Sequence, residues 1–189
     1  MIFLKSQPWR YLGTRLLHVG VGNCSFAVEF AASLKQYVGI TISLPEIVLF
    51  EQKLANFENA KVFLLNKYDP RFYGLLDGQF DIIVDTLLKS ATCCEKHFEG
   101  MMEFFTSRLT IGGMLITTET GVQWGWKGNT KRAYTPGAQL DPSVGKLRVL
   151  TRNGLRSIGE RLGLSLTAVR IDGSLIGGAD DHLLILTKS

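Results

Sequence analysis

The chain has 189 residues, of which 46% are hydrophobic and 20% charged, and its net charge is +4. This composition excludes an intrinsically disordered chain, and the length predicts one domain over residues 1–189 that buries a core without disulfides. Three cysteines are too few for a disulfide framework, and no apolar run reaches the length of a membrane span. We therefore expect a cytoplasmic protein with no membrane partner, and the small positive charge is compatible with an anionic ligand.

Apolar segments of strand length alternate with amphipathic segments of helical spacing along the first two-thirds of the chain. The apolar segments predict five strands, at residues 14–21, 37–42, 61–65, 80–84 and 114–118. The amphipathic segments predict three helices, at residues 25–35, 45–57 and 95–109. Between the third and fourth strands, Asp69-Pro70 and Asp77-Gly78 predict turns.

The last third of the chain is less regular. Residues 119–150 are rich in glycine, proline and tryptophan, and they predict an irregular segment. Thr151 predicts the N-cap of a short helix that Gly163 ends. Two final strands, at residues 164–171 and 182–188, are joined by a glycine-rich loop, which predicts an antiparallel hairpin.

The order of these elements predicts the fold class. Strand–helix alternation is typical of a parallel sheet that helices cover on both faces. We therefore predict a Rossmann-like, doubly wound α/β fold, with a mostly parallel seven-stranded sheet and an antiparallel C-terminal hairpin. Ligands of such folds bind at the carboxyl ends of the strands, so we expect the functional residues at that edge.

The first predicted strand ends in a turn with two glycines, Gly20 and Gly22. Glycines at this spacing allow a sharp turn and a close approach of a ligand to the backbone, although such pairs also serve tight packing alone. A dinucleotide site would need a third glycine, where this chain has Ser25, and an acid at the end of the second strand, which finishes in Ser43. A nicotinamide cofactor is therefore disfavoured.

These residues and two later motifs resemble class I S-adenosylmethionine-dependent methyltransferases, over about residues 14–188. Gly20-x-Gly22 looks like the family's first motif, whose backbone lies against the methionine and ribose of the cofactor. Residues 38–43, VGITIS, are similar to the second-strand motif of the cyclopropane-fatty-acid-synthase-like branch, where hydroxyls replace the ribose-binding acid. Residues 109–115, LTIGGML, resemble the family's L-x-P-G-G-x-L turn. The resemblance implies S-adenosyl-L-methionine as cofactor.

The resemblance also implies which side chains bind this cofactor. Thr41, Ser43 and Glu46 fall at the ribose, Asn66 falls at the adenine, and Asp85 faces the methyl-donor pocket. His18 stands where the family often has an acid, although its place in an apolar strand also predicts a buried core histidine. The predicted cofactor-binding residues are His18, Gly20, Gly22, Asn23, Thr41, Ser43, Glu46, Asn66 and Asp85.

Two carboxylates are the candidate catalytic groups. Methyl transfer is a displacement at a sulfonium centre, so the enzyme mainly aligns the acceptor with the methyl group. Asp85 and Glu119 end neighbouring predicted strands, and we expect both to point into one cleft, where a carboxylate can act as a base. A magnesium ion is an alternative use of the two groups, but hard cations usually take more acidic ligands. We therefore predict no metal.

The segment at residues 119–150 is predicted to cover the methyl acceptor. Trp124 and Trp126 offer an aromatic wall over an acceptor, or they anchor the loop against the core. Lys127 and Arg152 belong to residues 127–161, which contain eight basic and two acidic side chains. This stretch favours an anionic small molecule, or it forms a solvated basic face. The predicted substrate-binding residues are Trp124, Trp126, Lys127 and Arg152.

The predicted function is the O- or N-methylation of a small molecule. A nucleic-acid methyltransferase is the first alternative, supported by the basic stretch but disfavoured because residues 85–88, DTLL, lack the D/N-P-P-[FY] motif of base methylation. A catalytically inactive methyltransferase-like partner is the second alternative, because His18, Cys24 and Asn66 stand where the family often has an acid, a third glycine and an aspartate. The sequence leaves open whether the chain forms a homo-oligomer.

Overall fold

The computed structural model describes residues 11–90, 92, 95–123, 150–172 and 181–189. These residues form a seven-stranded sheet with helices. The strands are β1 (Arg15–Val19), β2 (Gln36–Thr41), β3 (Ala60–Leu64), β4 (Phe80–Val84), β5 (Leu109–Thr118), β6 (Leu164–Ile171) and β7 (Asp181–Lys188). The described α-helices are α1 (Ser25–Phe30), α2 (Leu44–Leu54), α3 (Pro70–Leu75), α4 (Glu95–Arg108), α5 (Glu119–Val122) and α6 (Arg152–Arg161).

The strand order across the sheet is β3-β2-β1-β4-β5-β7-β6. Neighbours among β1 to β5 pair in parallel, whereas β7 pairs antiparallel with both β5 and β6. β1 pairs with β2 on one side and with β4 on the other, so the direction of winding reverses at β1. The predicted mostly parallel sheet with an antiparallel C-terminal hairpin is confirmed.

Apolar cores lie on both faces of the sheet. Successive residues of β1 pack in different cores, because side chains along a strand point alternately to the two faces of the sheet. Leu17 packs in the core that contains Phe98 of α4, and Leu16 packs in the core that contains Phe26 of α1 and Phe50 of α2. The sheet is therefore covered on both faces, as the strand–helix alternation predicts.

Helix α3 occupies a segment that the sequence predicts as turns. The Asp69 side chain accepts a hydrogen bond from the backbone N–H of Arg71, which satisfies one of the donors that the start of a helix leaves free. Pro70 stands in the first turn, where its fixed φ favours a helix. The same residues that predict a turn thus begin a short helix.

Strand β5 begins earlier than predicted. Leu109 already pairs with Phe80 of β4, and a register shift follows before the regular pairing from Met114 onward. Gly112, with a φ of 76°, lies in this irregular part of the strand. The glycine pair therefore interrupts β5 after its first residues and does not precede the strand.

Helix α6 begins and ends as predicted. The Thr151 hydroxyl accepts a hydrogen bond from the backbone N–H of Gly154, and Gly163 follows the helix with a left-handed φ of 73°. Across the described ranges, no helix is both long enough and apolar enough to cross a membrane.

Candidate active site

A cavity of about 170 Å³ opens at the carboxyl ends of β1, β2, β3 and β4. It lies beside the reversal of winding at β1, which is where doubly wound sheets bind ligands. Its lining includes one glycine, five apolar side chains and eight polar ones. These are Gly20; Val19, Ile40, Ile42, Leu65 and Leu87; and Thr41, Ser43, Glu46, Asn66, Lys67, Asp85, Thr86 and Ser90.

The glycine turn after β1 forms one wall of this cavity. Gly20 and Gly22 have left-handed φ angles of 77° and 55°, which glycine adopts without strain. The Gly20 N–H donates to the carbonyl of Ile40, which ties the turn to β2. A Cβ on Gly39 would lie 2.6 Å from the Val21 side chain, so the turn lies close to β2 because residue 39 has no side chain.

Glu46 brings a carboxylate to the end of β2, which has no acid of its own. Its Oε2 accepts one hydrogen bond from the Thr41 hydroxyl at 2.6 Å and another from the Gly22 N–H at 3.0 Å. Because Glu46 stands in the first turn of α2, the helix turns its side chain back over the strand end. The Thr41 oxygen also accepts from the Ser43 N–H, so three hydrogen bonds connect the groups at this corner of the cavity.

Lys67 and Asp85 form a buried ion pair in the cavity wall. The Lys67 ammonium donates to Asp85 Oδ2 at 2.7 Å and to the carbonyls of Leu87 and Leu88, so three acceptors surround it. The two side chains are only 6% and 2% exposed. Asp85 Oδ1 accepts in addition from the Leu87 N–H. The pair therefore fastens the segment after β3 to the segment after β4.

Three predicted cofactor residues are not part of the cavity lining: Gly22 in the glycine turn, His18 and Asn23. His18 is buried between Phe26, whose ring centroid is 4.9 Å from its own, and Tyr37, whose hydroxyl is 2.7 Å from Nδ1. Burial lowers the pKa of His18 from 6.5 to about 4, so the ring is neutral near pH 7. The Asn23 side chain accepts from the Ser25 N–H within its own turn.

Asn66 lies in the cavity lining at the end of β3. Its Oδ1 accepts a hydrogen bond from the Tyr68 N–H, which fixes the orientation of the side-chain amide. An amide held through its oxygen directs its NH₂ group elsewhere, so Asn66 offers donors to a ligand more readily than an acceptor.

Glu119 belongs to a second polar cluster at the same edge of the sheet. It accepts hydrogen bonds from Arg152, with Nε at 3.2 Å and Nη2 at 2.6 Å, and its Oε2 lies 3.0 Å from Nδ1 of His182. Glu119 is not part of the cavity lining. Among the described residues, Asp85 and Glu119 therefore do not line the same cavity, and each carboxylate is held by a different cation.

Three predicted acceptor residues, Trp124, Trp126 and Lys127, lie outside the described residues. The segment that the sequence predicts to be irregular from residue 119 begins with a short helix instead. Glu119–Val122 form α5, which the Thr118 hydroxyl caps. Within the described ranges, no three His, Cys, Asp or Glu side chains come together in a group that could hold a metal ion.

Sequence reasoning missed Lys67 and His182. Lys67 directly follows Asn66 and looks like an ordinary solvent-exposed lysine in the sequence. His182 stands at the predicted start of the last strand, and only the antiparallel pairing of β5 with β7 brings it to Glu119. A signal existed for His182 alone, since an antiparallel final strand begins at the carboxyl edge of its parallel neighbour.

No protein-family profile matches the sequence, and no curated protein is significantly similar to it. Solved structures are similar in fold. The N-methyltransferase NodS from Bradyrhizobium japonicum WM9 superposes with a TM-score of 0.66 at 14% identity, over 98% of this chain and 89% of that one. Magnesium protoporphyrin IX methyltransferase from Synechocystis PCC 6803, solved with bound SAM, superposes with a TM-score of 0.60 at 16% identity. The match covers 100% of this chain and 76% of that one.

A third similar structure is an rRNA methylase from Streptococcus thermophilus, with a TM-score of 0.55 at 14% identity, over 94% of this chain and 88% of that one. The names of the last two proteins state different substrates, magnesium protoporphyrin IX and rRNA. This chain has the fold of these methyltransferases. At such low identity the similarity extends to the fold alone, so the substrate has to be argued from this chain's own residues.

Proposed function

We propose that this chain is an S-adenosylmethionine-dependent methyltransferase that transfers the methyl group to an oxygen or nitrogen of a small molecule. The observation that carries the proposal is the Glu46 carboxylate, held by Thr41 and Gly22 in a cavity beside a left-handed glycine turn. It supplies an acidic ribose-binding group that the end of β2 itself lacks. The methyltransferase fold supports the same cofactor class.

The residues of the cavity fit the parts of this cofactor. The Gly20 backbone leaves open space where a side chain would stand, which suits the methionine and ribose portions. Glu46, with Thr41 beside it, offers acceptors to the ribose hydroxyls, and the Asn66 amide offers donors to the adenine. Ile42 and Leu87 add apolar surface for the adenine ring. When bound, the cofactor would supply the methyl group and leave as a neutral thioether.

Two predicted residues have other roles in this proposal. His18 is enclosed in the core, so we assign it to packing and not to the cofactor. Both oxygens of Asp85 accept hydrogen bonds within the protein, from the Lys67 ammonium and the Leu87 N–H, so we assign Asp85 to the cavity wall and not to proton transfer. The likeness of residues 38–43 to the cyclopropane-fatty-acid-synthase-like branch is supported by the position of Thr41 in the cavity.

Calorimetric titration with S-adenosylhomocysteine tests the cofactor, and the chain offers a matched pair of glycines. Gly20 and Gly112 both have a left-handed φ near 77° and open space at the Cβ position, but only Gly20 lines the cavity. Alanine at either position should lower stability by about 1–2 kcal/mol. Only Gly20→Ala should weaken binding, by tenfold or more. No binding to the wild-type chain, or equal loss in both variants, would refute the proposal.

A second experiment isolates the ribose contact. Glu46→Gln should weaken S-adenosylhomocysteine about tenfold, because a hydrogen bond to a charged group contributes about 1.5–3 kcal/mol. The loss should disappear for an analogue that lacks the ribose hydroxyls, since the mutated contact is then already missing. Glu51→Gln, on the exposed side of the same helix, is the control and should bind like the wild type. An equal loss with both ligands would place Glu46 away from the ribose.

A nucleic-acid acceptor is the second candidate, supported by the fold similarity to an rRNA methylase and by three arginines, Arg152, Arg156 and Arg161, on α6. Measuring RNA affinity between 50 and 200 mM salt distinguishes the candidates. A steep salt dependence would favour nucleic acid, because phosphate contacts release counterions. A flat or undetectable response would favour a small molecule.

A further inference from the structure

His182, Glu119 and Arg152 form a cluster that the cofactor proposal does not use. The Arg152 guanidinium binds both oxygens of Glu119, and the second of these oxygens lies 3.0 Å from Nδ1 of His182. The three side chains come from three elements: the start of α6, the start of α5 and the start of β7. His182 remains 36% exposed, so its ring is held on one side and open to solvent on the other.

The cluster lies next to the cavity along the carboxyl edge of the sheet. The Thr118 hydroxyl, at the end of β5, donates to the carbonyl of Thr86, which lines the cavity. Thr118 pairs with Leu183 of β7, so His182 follows directly at the next position along the edge. Neighbouring strands are about 4.8 Å apart and β5 lies between β4 and β7, so His182 stands about 10 Å along the edge from β4.

The contact with Glu119 determines which ring nitrogen of His182 is available. A carboxylate attracts a ring N–H and repels a ring lone pair, so the 3.0 Å contact with Glu119 favours the tautomer with the proton on Nδ1. In the neutral ring, Nε2 then keeps its lone pair and can accept a proton. Two further charged groups lie near the ring: Asp181, which accepts from the His182 backbone N–H, and the exposed Arg170, directly opposite on β6.

We propose that His182 is the general base for the methyl acceptor, with Glu119 as the residue that positions its ring and Arg152 as the residue that positions Glu119. The inference rests on the proposed function. The acceptor O–H or N–H gives its proton to Nε2, and the electron pair freed on that atom forms the new bond to the methyl carbon. The pair of the broken carbon–sulfur bond stays on sulfur.

The proposal restricts the acceptor. A base is useful when the nucleophilic atom carries a proton that it must lose, as in a hydroxyl or a protonated amine, and it adds little for a neutral tertiary amine or a thioether.

Nitrogen-15 spectra of the histidine ring nitrogens test the tautomer on the full chain at pH 8, with His182→Gln assigning the signals. We expect His182 to be protonated on Nδ1 in the wild type. Glu119→Ala should move it toward the Nε2–H tautomer that a solvated imidazole prefers, with Glu119→Gln between the two. The exposed His97 is the control and should not change. A wild-type ring protonated on Nε2, or one indifferent to Glu119, would overturn the proposal.

Two ligands then test whether His182 lies beside the reacting atoms. Sinefungin carries an amine where the cofactor carries its methyl group, whereas S-adenosylhomocysteine has nothing there. An acceptor atom between methyl and base lies about 3 Å from each, so this amine should shift the His182 Nε2 signal more than S-adenosylhomocysteine does. The Gly20 amide reports cofactor binding independently. If the Gly20 amide signal shifts but the His182 signal responds equally to both ligands, the general-base proposal is refuted and the proposed methyltransferase function stands. If the Gly20 amide signal does not shift with either ligand, both proposals are refuted.

Discussion

Two ion pairs at the same edge of the sheet have nearly equal lengths and very different surroundings. Lys67 and Asp85 are 2.7 Å apart with side chains 6% and 2% exposed, and Arg152 and Glu119 are 2.6 Å apart with side chains 32% and 21% exposed. Distance alone therefore does not distinguish them. Burial does, because water and salt screen the second pair and barely reach the first.

This difference separates the two halves of the candidate site. An uncompensated charge in the interior is severely destabilising, so Lys67 and Asp85 have to remain together and keep one wall of the cavity rigid. Arg152 and Glu119 lose little when their contact breaks, because water can replace either partner. In the function that we propose, the cofactor side is therefore held rigid before a ligand binds, whereas the proposed acceptor side can rearrange around its ligand.

The largest expected effect comes from breaking the buried pair. Lys67→Met leaves the Asp85 carboxylate buried without a cation, and we expect the free energy of unfolding to fall by about 3–5 kcal/mol in urea denaturation. Lys53→Met is the control, because the exposed Lys53 ammonium also donates to a backbone carbonyl, that of Asn23, but faces no buried charge.

The double variant Lys67→Met/Asp85→Leu keeps this prediction testable if the single variant fails to fold. It removes both charges, so it should be more stable than Lys67→Met alone. If the single variant stays within 1 kcal/mol of the wild type, water reaches Asp85 and the two halves do not differ as we describe.

The contrast between buried and partly exposed groups also applies to His18 and His182, and the buried His18 gives the next largest expected effect on stability. Burial holds the pKa of His18 at about 4 against 6.5 in the unfolded chain, so below pH 6.5 the unfolded state binds a proton that the folded state does not. Stability from this group is complete above pH 6.5 and falls as the pH decreases toward 4, by about 3 kcal/mol at most. The half-exposed His182 has no comparable enclosure.

The double variant His18→Leu/Tyr37→Phe removes the ring together with the hydroxyl that contacts it. Its free energy of unfolding should fall less between pH 7 and pH 4.5 than that of the wild type, as measured by urea denaturation at each pH. His97→Gln is the control variant, because its side chain is exposed and lies outside the core that encloses His18. Parallel curves for the wild type and the double variant would show that the His18 ring takes up its proton in the folded protein.

Local patterns in the sequence predicted most of the fold. The limits of β4 and β6 follow from apolar runs, and Thr151 and Gly163 delimit α6 through backbone hydrogen bonding within a few residues. The lining of the cavity by Gly20, Thr41 and Glu46 also depends on short-range geometry, because a turn and the first turn of a helix place them. The error at α3 has a local cause too, since Asp-Pro begins both turns and helices.

The partners of the charged groups could not be predicted in this way. Lys67 lies 18 residues from Asp85, and Arg152 lies 33 residues from Glu119. Such contacts depend on the order of the strands and on which strands run antiparallel. The local sequence around one side chain reveals neither the order nor the direction of the strands. Burial decides whether the two partners of an ion pair must stay together or can be replaced by water. The burial of a side chain is known only once the sheet and its helices are packed together.

The smallest effect is expected at the exposed pair, and it tests the comparison most directly. Arg152→Met and Arg161→Met each remove an arginine from α6 that binds a carboxylate, Glu119 for the first and Glu99 for the second. Both pairs are partly exposed, so each variant should lose less than about 1 kcal/mol of stability. Only Arg152→Met should change the ring nitrogen signals of His182, because only Arg152 holds the carboxylate that contacts that ring. A loss at Arg152 as large as the one expected at Lys67 would mean that the acceptor side is as rigid as the cofactor side, since Glu119 could not then exchange its partner.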